Sequence, residues 1–121
     1  MKIVISAISP DLDSVIDPRF GRAAYFVVVD TNTLEWQSYP NPGANASGGA
    51  GTQAAQYIAR LGAGVVVSGD FGPNAYNALD AADIAMYLLG TSQTVREAVE
   101  NYKADQLASA SAPTSPGHHQ R

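Results

Sequence analysis

Cysteine is absent from this 121-residue chain. Its absence excludes disulfide bonds, catalytic thiolates, and iron–sulfur or zinc sites built on cysteine ligands. Positive charge is also scarce, because seven lysine and arginine residues stand against eleven aspartate and glutamate residues, giving a net charge of −4. We therefore expect no nucleic-acid partner, since proteins that bind nucleic acids usually present a basic face.

Long apolar runs are missing as well. No stretch approaches the length of a membrane span, and the first residues are typical of a β-strand rather than a signal peptide, so we expect a cytoplasmic protein with no membrane partner. Apolar residues make up 45% of the sequence and charged residues 15%, as in a single globular domain. Residues 108–121 have too little apolar content to pack. We predict a domain over residues 1–107 and a flexible C-terminal tail over residues 108–121.

Hydrophobic patterning predicts three strands followed by alternating helices and strands. The strands are expected at 2–8, 24–30, 34–39, 65–68 and 84–89, and the helices at 51–61, at 73–79 and after Thr94. The order β-β-β-α-β-α-β-α predicts an α/β fold with one mixed five-stranded sheet flanked by three helices. Thr94 and Glu97 have the spacing of a helix capping box.

The segment that says most about function is glycine-rich and leads directly into the first predicted helix: Asn45-Ala46-Ser47-Gly48-Gly49-Ala50-Gly51. Small residues let a ligand approach the backbone, and the unpaired N–H groups that begin a helix attract anions. A second glycine turn, residues 69–74, also leads into a helix, and Arg19 and Arg22 share a loop. Ligands of such sheets bind at the carboxyl ends of parallel strands. The three segments therefore predict one anion site.

Each of these features also has a purely structural interpretation. Glycines can serve a tight helix entry and nothing more, and loop arginines are often only solvated or paired within the protein. Pro73 donates no N–H group. No Lys-Ser/Thr pair follows the glycine run, so we do not expect a nucleotide phosphate.

Five segments, taken in order along the chain, resemble the dinitrogenase iron–molybdenum cofactor biosynthesis family of small carrier proteins. They are Arg19–Ala23, Asn45–Gln56, Gly69–Ala75, Thr94–Ala98 and Gly117–His119. The resemblance implies a ribonuclease-H-like fold and non-catalytic binding of a preformed molybdenum-containing metal–sulfide cluster. It also implies proteins that donate or accept the cluster.

The chain departs from the family at Arg19, since many members have histidine immediately before the Phe-Gly-Arg triplet. A histidine-ligated iron–molybdenum cofactor or precursor thus becomes the alternative, and a molybdenum–copper sulfide cluster held by charge is favoured. Arginines would supply charge, backbone N–H groups would supply donors, and two phenylalanines an apolar wall. The residues that the resemblance assigns to the cluster are Arg19, Phe20, Gly21, Arg22, Asn45, Ser47, Gly48, Gly49, Ala50, Gly51, Phe71, Gly72 and Asn74.

His118 and His119 are candidate metal ligands, with a mobile tail as the structural alternative. Two other function classes stay open. One is a ligand-free regulatory or scaffold module. The other is a nuclease, for which Asp30, Asp70 and Asp83 would have to converge. Their positions in the predicted topology place Asp70 at the opposite end of the sheet from the other two, so we do not expect an enzyme.

Overall fold

The structure is a computed structural model that describes residues 1–114. Its elements, in chain order, are β1 (Lys2–Ala7), a single 3₁₀ turn (Phe20–Arg22), β2 (Tyr25–Asp30), β3 (Trp36–Pro40), α1 (Ala50–Arg60), β4 (Ala63–Ser68), α2 (Pro73–Ala81), β5 (Ala85–Leu88) and α3 (Val95–Lys103). The predicted α/β fold and the order of its strands and helices are confirmed. The 3₁₀ turn was not predicted. No helix within the described part of the chain has both the length and the apolar content to cross a bilayer.

The strands form one mixed sheet in the order β3-β2-β1-β4-β5. Strand β1 lies at its centre, antiparallel to β2 and parallel to β4, and β5 extends the parallel half. Ile3, Val4 and Ile5 are completely buried, as expected for a strand covered on both faces. The carboxyl ends of β1, β4 and β5 therefore share one edge of the sheet.

Side chains that alternate along the strands supply two hydrophobic cores. One core packs Val4, Phe26 and Val66 against α1 and α2. The other packs odd-numbered strand residues such as Ile3 and Ile5 against α3. Because α1 and α2 cover the same face, the loops that lead into these two helices are neighbours in space.

Helix α3 begins with a side-chain cap, close to the arrangement predicted. The hydroxyl oxygen of Thr94 accepts a hydrogen bond from the backbone N–H of Glu97 at 3.2 Å. The Glu97 carboxylate accepts a hydrogen bond from the backbone N–H of Gln93 at 2.8 Å, one residue before the cap. Both the cap and an acidic residue thus stabilise the first turn of α3.

Residues 108–114, which we call the C-terminal strap, pair with the outer edge of β5 at residues 108–110 and then reach the loop before α2. The backbone N–H of Leu88 donates to the carbonyl oxygen of Ala108 at 2.9 Å. The backbone N–H of Ala110 donates to the carbonyl oxygen of Met86, also at 2.9 Å. This pairing could not be predicted from the apolar content of the segment, because it is formed by backbone groups. The flexibility predicted for residues 108–121 stays a prediction, and residues 115–121, with His118 and His119, lie outside the described residues.

Candidate functional site

Three loops meet at the carboxyl edge of β1 and β4 and enclose a cleft of about 360 Å³. A volume of this size is at the small end of the range for ligand pockets. The cleft is lined by Arg19, Phe20, Gly21, Arg22, Ala50, Gly51, Asp70, Gly72, Pro73, Asn74 and Ala75. The structure thus brings together eight of the predicted cluster residues: Arg19, Phe20, Gly21, Arg22, Ala50, Gly51, Gly72 and Asn74.

Two glycines of the cleft are required by close packing. A Cβ atom on Gly21 would lie 2.9 Å from both the Cα and the backbone N of Gly51. A Cβ atom on Gly51 would in turn lie 2.9 Å from the Cβ of Ala75. The start of α1 is therefore clamped between the 3₁₀ turn and the start of α2. Close packing alone therefore explains why glycine is present at positions 21 and 51.

Gly72 has no such structural reason. Its backbone, with φ −68° and ψ 170°, has a conformation that any residue adopts. A Cβ atom placed on it would meet no described atom within 4 Å, and the position lies in the cleft. Gly48 likewise meets no neighbour, whereas Gly49 has φ +74°, which favours glycine. Gly72 is thus a cleft glycine that neither close packing nor backbone conformation requires.

Helices α1 and α2 both begin at the cleft without a side-chain cap or an acidic residue in the first turn. The first hydrogen bond within α1 is donated by Gln53 to Gly49, and the first within α2 by Tyr76 to Gly72. The N–H groups before Gln53 and Tyr76 therefore lack partners inside their helices. Among the helices of residues 1–114, only α3, which lies away from the cleft, begins with a side-chain cap and an acidic residue in its first turn. The two helix dipoles make the cleft favourable for an anion.

Arg19 is paired within the protein. Its Nε and one terminal nitrogen donate to the two carboxylate oxygens of Asp17, each at 3.2 Å. The Asp17 side chain is 5% exposed and that of Arg19 is 66% exposed. Hydrogen bonding to Asp17 is the main cause that raises the pKa of Arg19, and the attraction between the two opposite charges is the second cause. Asp17 fixes one side of the guanidinium group and leaves the rest of it open to solvent.

Arg22 holds the loop before α1. Its guanidinium group donates to the carbonyl oxygens of Ala44 and Ala46. The buried side chain of Asn41 joins the same loop to the 3₁₀ turn, since its amide donates to the carbonyl oxygens of Gly21 and Ala23 at 3.0 and 2.9 Å. Sequence reasoning missed Asn41, although asparagine between two prolines is a typical loop anchor.

Phe20 and Phe71, which we expected to supply an apolar wall, are both almost completely buried. They are 1% and 0% exposed, and their ring centroids lie 5.6 Å apart in the core beneath the cleft. The physical reason is the hydrophobic effect, because an aromatic ring at a helix entry gains more from packing under the loop than from facing solvent. Both rings support the cleft from below, and Phe71 is not among the residues that line it.

The segment before α1 is only partly at the cleft. Asn45 lines an adjoining depression that also includes Arg19 and Arg22. Ser47, Gly48 and Gly49 are exposed and line neither the cleft nor this depression. The contacts predicted for Asn45, Ser47, Gly48 and Gly49 stay predictions.

The cleft is also lined by three residues that were not among the predicted cluster residues: Asp70, Pro73 and Ala75. Asp70 lies on its rim, where a carboxylate opposes an anion, and its backbone forms a bridge with that of Arg19. Thr114 of the C-terminal strap contacts Asp70 and Phe71. On sequence grounds Asp70 was considered only as a nuclease carboxylate, although it lies in the second glycine turn. Nothing in the sequence indicated a role for Thr114, because residues 108–121 were predicted to form a flexible tail.

A larger cavity of about 620 Å³ lies beside the β2–β3 hairpin, away from the helix entries. Lys2, Asp30 and Glu35 give its lining charges of both signs. Size alone does not make it the better site, since neither helix N-terminus points into it. Within residues 1–114, no group of three or more histidine, aspartate or glutamate side chains could hold a metal ion.

Comparison with known proteins gives one consistent family. A family model described as "Dinitrogenase iron-molybdenum cofactor" matches residues 1–105. An uncharacterized protein of Methanocaldococcus jannaschii is 27% identical over 96 residues, which cover 76% of this chain and 81% of that protein.

Solved structures agree with this family. The apo form of the orange protein from Desulfovibrio gigas is 43% identical, with a TM-score of 0.91 over 94% of this chain and 96% of that one. A Thermotoga protein assigned to the DUF35 family is 28% identical, with a TM-score of 0.82 over 94% of this chain and 97% of that one. The resemblance inferred from the five segments is confirmed.

Proposed function

This chain belongs to the dinitrogenase iron–molybdenum cofactor family, and from that premise we propose that it carries a preformed molybdenum-containing metal–sulfide cluster in the cleft, without catalysing a reaction. The similar orange protein is described in its apo form, a word used for a protein that also has a ligand-bound form. Partner proteins would donate the cluster and accept it.

The chemistry of the cleft suits such a cargo. Sulfide already saturates the metals of a thiomolybdate-type cluster, and the cluster is an anion, so it requires no thiolate from the protein. It requires N–H donors, a few cations and shelter from water. Helices α1 and α2 supply donors, and Arg19 and Arg22 supply cations. The lack of cysteine in the chain is compatible with this kind of binding.

The observation that carries the proposal is Gly72, where an uncapped helix begins, no described atom fills the place of a side chain, and the cleft is open. Neither packing nor backbone conformation requires glycine there. A ligand that approaches the backbone N–H groups of α2 does require it.

Gly72→Ala is expected to lower the affinity for tetrathiomolybdate, alone or with copper(I), about tenfold. The added methyl group occupies the place of the ligand. Stability is expected to stay unchanged or to rise by about 0.5 kcal/mol, since alanine restricts the unfolded chain. Titration followed by visible absorption measures affinity, and thermal unfolding measures stability.

Asn77→Ala, on the exposed side of α2, is the matched control and is expected to bind like the wild type. Gly48→Ala tests the predicted contact of the loop before α1. Wild-type affinity in Gly72→Ala would contradict the proposed place of the cluster. A wild-type protein that binds no thiomolybdate would favour the scaffold alternative.

Copper is our preferred second metal, and an iron–molybdenum cofactor or its precursor is the alternative. Elemental analysis of the protein purified from its own host distinguishes the two. The preference for copper rests on Arg19, which stands where many family members have a histidine.

The double variant His118→Ala, His119→Ala is expected to reduce cluster retention at most threefold, because the cleft supplies the main contacts. The measurement is the dissociation rate of the coloured complex. A complete loss of binding would mean that the imidazoles are principal ligands.

A further inference from the structure

The C-terminal strap ends on the loop that forms one side of the cleft. The Thr114 hydroxyl oxygen accepts a hydrogen bond from the backbone N–H of Phe71 at 2.7 Å. In return, the backbone N–H of Thr114 donates to the carbonyl oxygen of Phe71 at 3.0 Å. Both backbone groups of Phe71, the residue directly before Gly72, are thereby tied to the strap.

The proton of the same hydroxyl group is directed to a carboxylate. Thr114 Oγ1 lies 3.0 Å from Asp70 Oδ1 and 3.4 Å from the carbonyl oxygen of Phe71. One hydroxyl group donates one hydrogen bond well, and the shorter contact with the charged acceptor is the stronger. The bond to Thr114 therefore occupies one oxygen of a carboxylate on the cleft rim.

This contact has electrostatic and mechanical consequences. A hydrogen bond donated to the Asp70 carboxylate withdraws part of the negative charge that would repel an anion. The turn from Asp70 to Gly72 is also held against the strap, and the backbone bridge between Asp70 and Arg19 extends this support to the arginine loop. The strap itself is fixed to β5 by the backbone bonds of Ala108 and Ala110.

We propose that Thr114 is a positioning residue of the cleft, which fixes the turn from Asp70 to Gly72 and weakens the repulsion between Asp70 and a bound anion. The inference deepens the proposed function and rests on it for the identity of the anion. It makes the C-terminal strap a part of the binding site, although the strap supplies no group to the ligand.

Thr114→Val removes the hydroxyl group and keeps the shape of the side chain. We expect the affinity for tetrathiomolybdate to fall about tenfold, and Thr114→Ser to restore it. Adding Asp70→Asn to Thr114→Val is expected to recover most of the loss, because the unbalanced charge is removed. Ser111→Ala, in the same exposed strap, is the control and is expected to bind like the wild type.

Amide hydrogen exchange of Phe71 gives a readout that needs no ligand. Its N–H is expected to exchange at least tenfold faster in Thr114→Val, while amides in β1 keep their protection. Wild-type affinity together with unchanged exchange at Phe71 would overturn the proposal. A loss of affinity that Asp70→Asn does not relieve would overturn the electrostatic role of Thr114. A wild-type protein that binds no thiomolybdate refutes the proposed function, and then unchanged Phe71 exchange alone refutes the role of Thr114.

Discussion

Replacing Arg19 and Arg22 together with alanine is expected to lower the affinity for tetrathiomolybdate about a hundredfold, at about tenfold for each charge-assisted contact. Two further effects add to the loss of these contacts. Arg19→Ala leaves the buried Asp17 carboxylate with a backbone hydrogen bond but without its charged partner, which adds repulsion. Arg22→Ala releases the carbonyl groups of Ala44 and Ala46. Visible absorption titrations at low and at high salt measure the affinity and its electrostatic part.

The matched control removes two other arginines, in Arg60→Ala, Arg96→Ala. Arg96 forms an ion pair with Asp13 at 3.0 Å in which both side chains are exposed, and neither Arg60 nor Arg96 lines the cleft. This control changes the net charge by the same amount as the Arg19, Arg22 variant. If it binds with wild-type affinity, the loss in the Arg19, Arg22 variant is due to the location of those two arginines at the cleft. Thermal unfolding of the Arg19, Arg22 variant should still be cooperative. A cooperatively folded variant that binds like the wild type would refute binding by charge.

Gly21→Ala is expected to destabilise the fold by about 2 kcal/mol, lowering the unfolding midpoint by roughly 8 °C for a domain of this size. The new Cβ atom would lie 2.9 Å from two backbone atoms of Gly51, and backbone cannot rotate away as a long side chain does. Urea and thermal unfolding measure the loss. The cleft is expected to open with it, because the 3₁₀ turn must move away from α1.

Gly48→Ala is the control for this change. Its Cβ atom would meet no described neighbour within 4 Å, and its φ is not positive. Its stability is expected to stay within about 0.5 kcal/mol of the wild type. Equal midpoints for Gly21→Ala and the wild type would show that the turn and the helix are not in firm contact.

Most of the fold could be predicted from the sequence because each element carries a local signal. Continuous apolar residues at 3–5 identify a strand covered on both faces, and Pro73 after Gly72 marks a helix start. Thr94 and Glu97 mark another. The strap gave no such signal. Its hydrogen bonds to β5 come from backbone groups that every sequence possesses, so only the tertiary structure places residues 108–110 beside that edge.

The cleft was less predictable than the fold. The sequence identified Arg19, Arg22 and the two glycine segments, yet it could not separate a glycine required by packing, such as Gly51, from one that packing does not require, such as Gly72. That distinction depends on which backbone lies opposite. The burial of Phe71 is also a tertiary effect. Arg19 and Asp17 are only two residues apart, so their pairing is local, but the burial of the Asp17 side chain depends on the tertiary structure.

The parallel pairing of β1 with β4 joins Lys2 to Ala63, so the halves of the cleft come from distant parts of the chain. While the protein is being synthesised, Arg19 and Arg22 emerge well before Gly72 and the start of α2. A nascent chain that holds only the first three strands has the arginines without either helix entry. If the cleft binds the proposed cluster, that cluster would therefore have to enter after translation has passed α2.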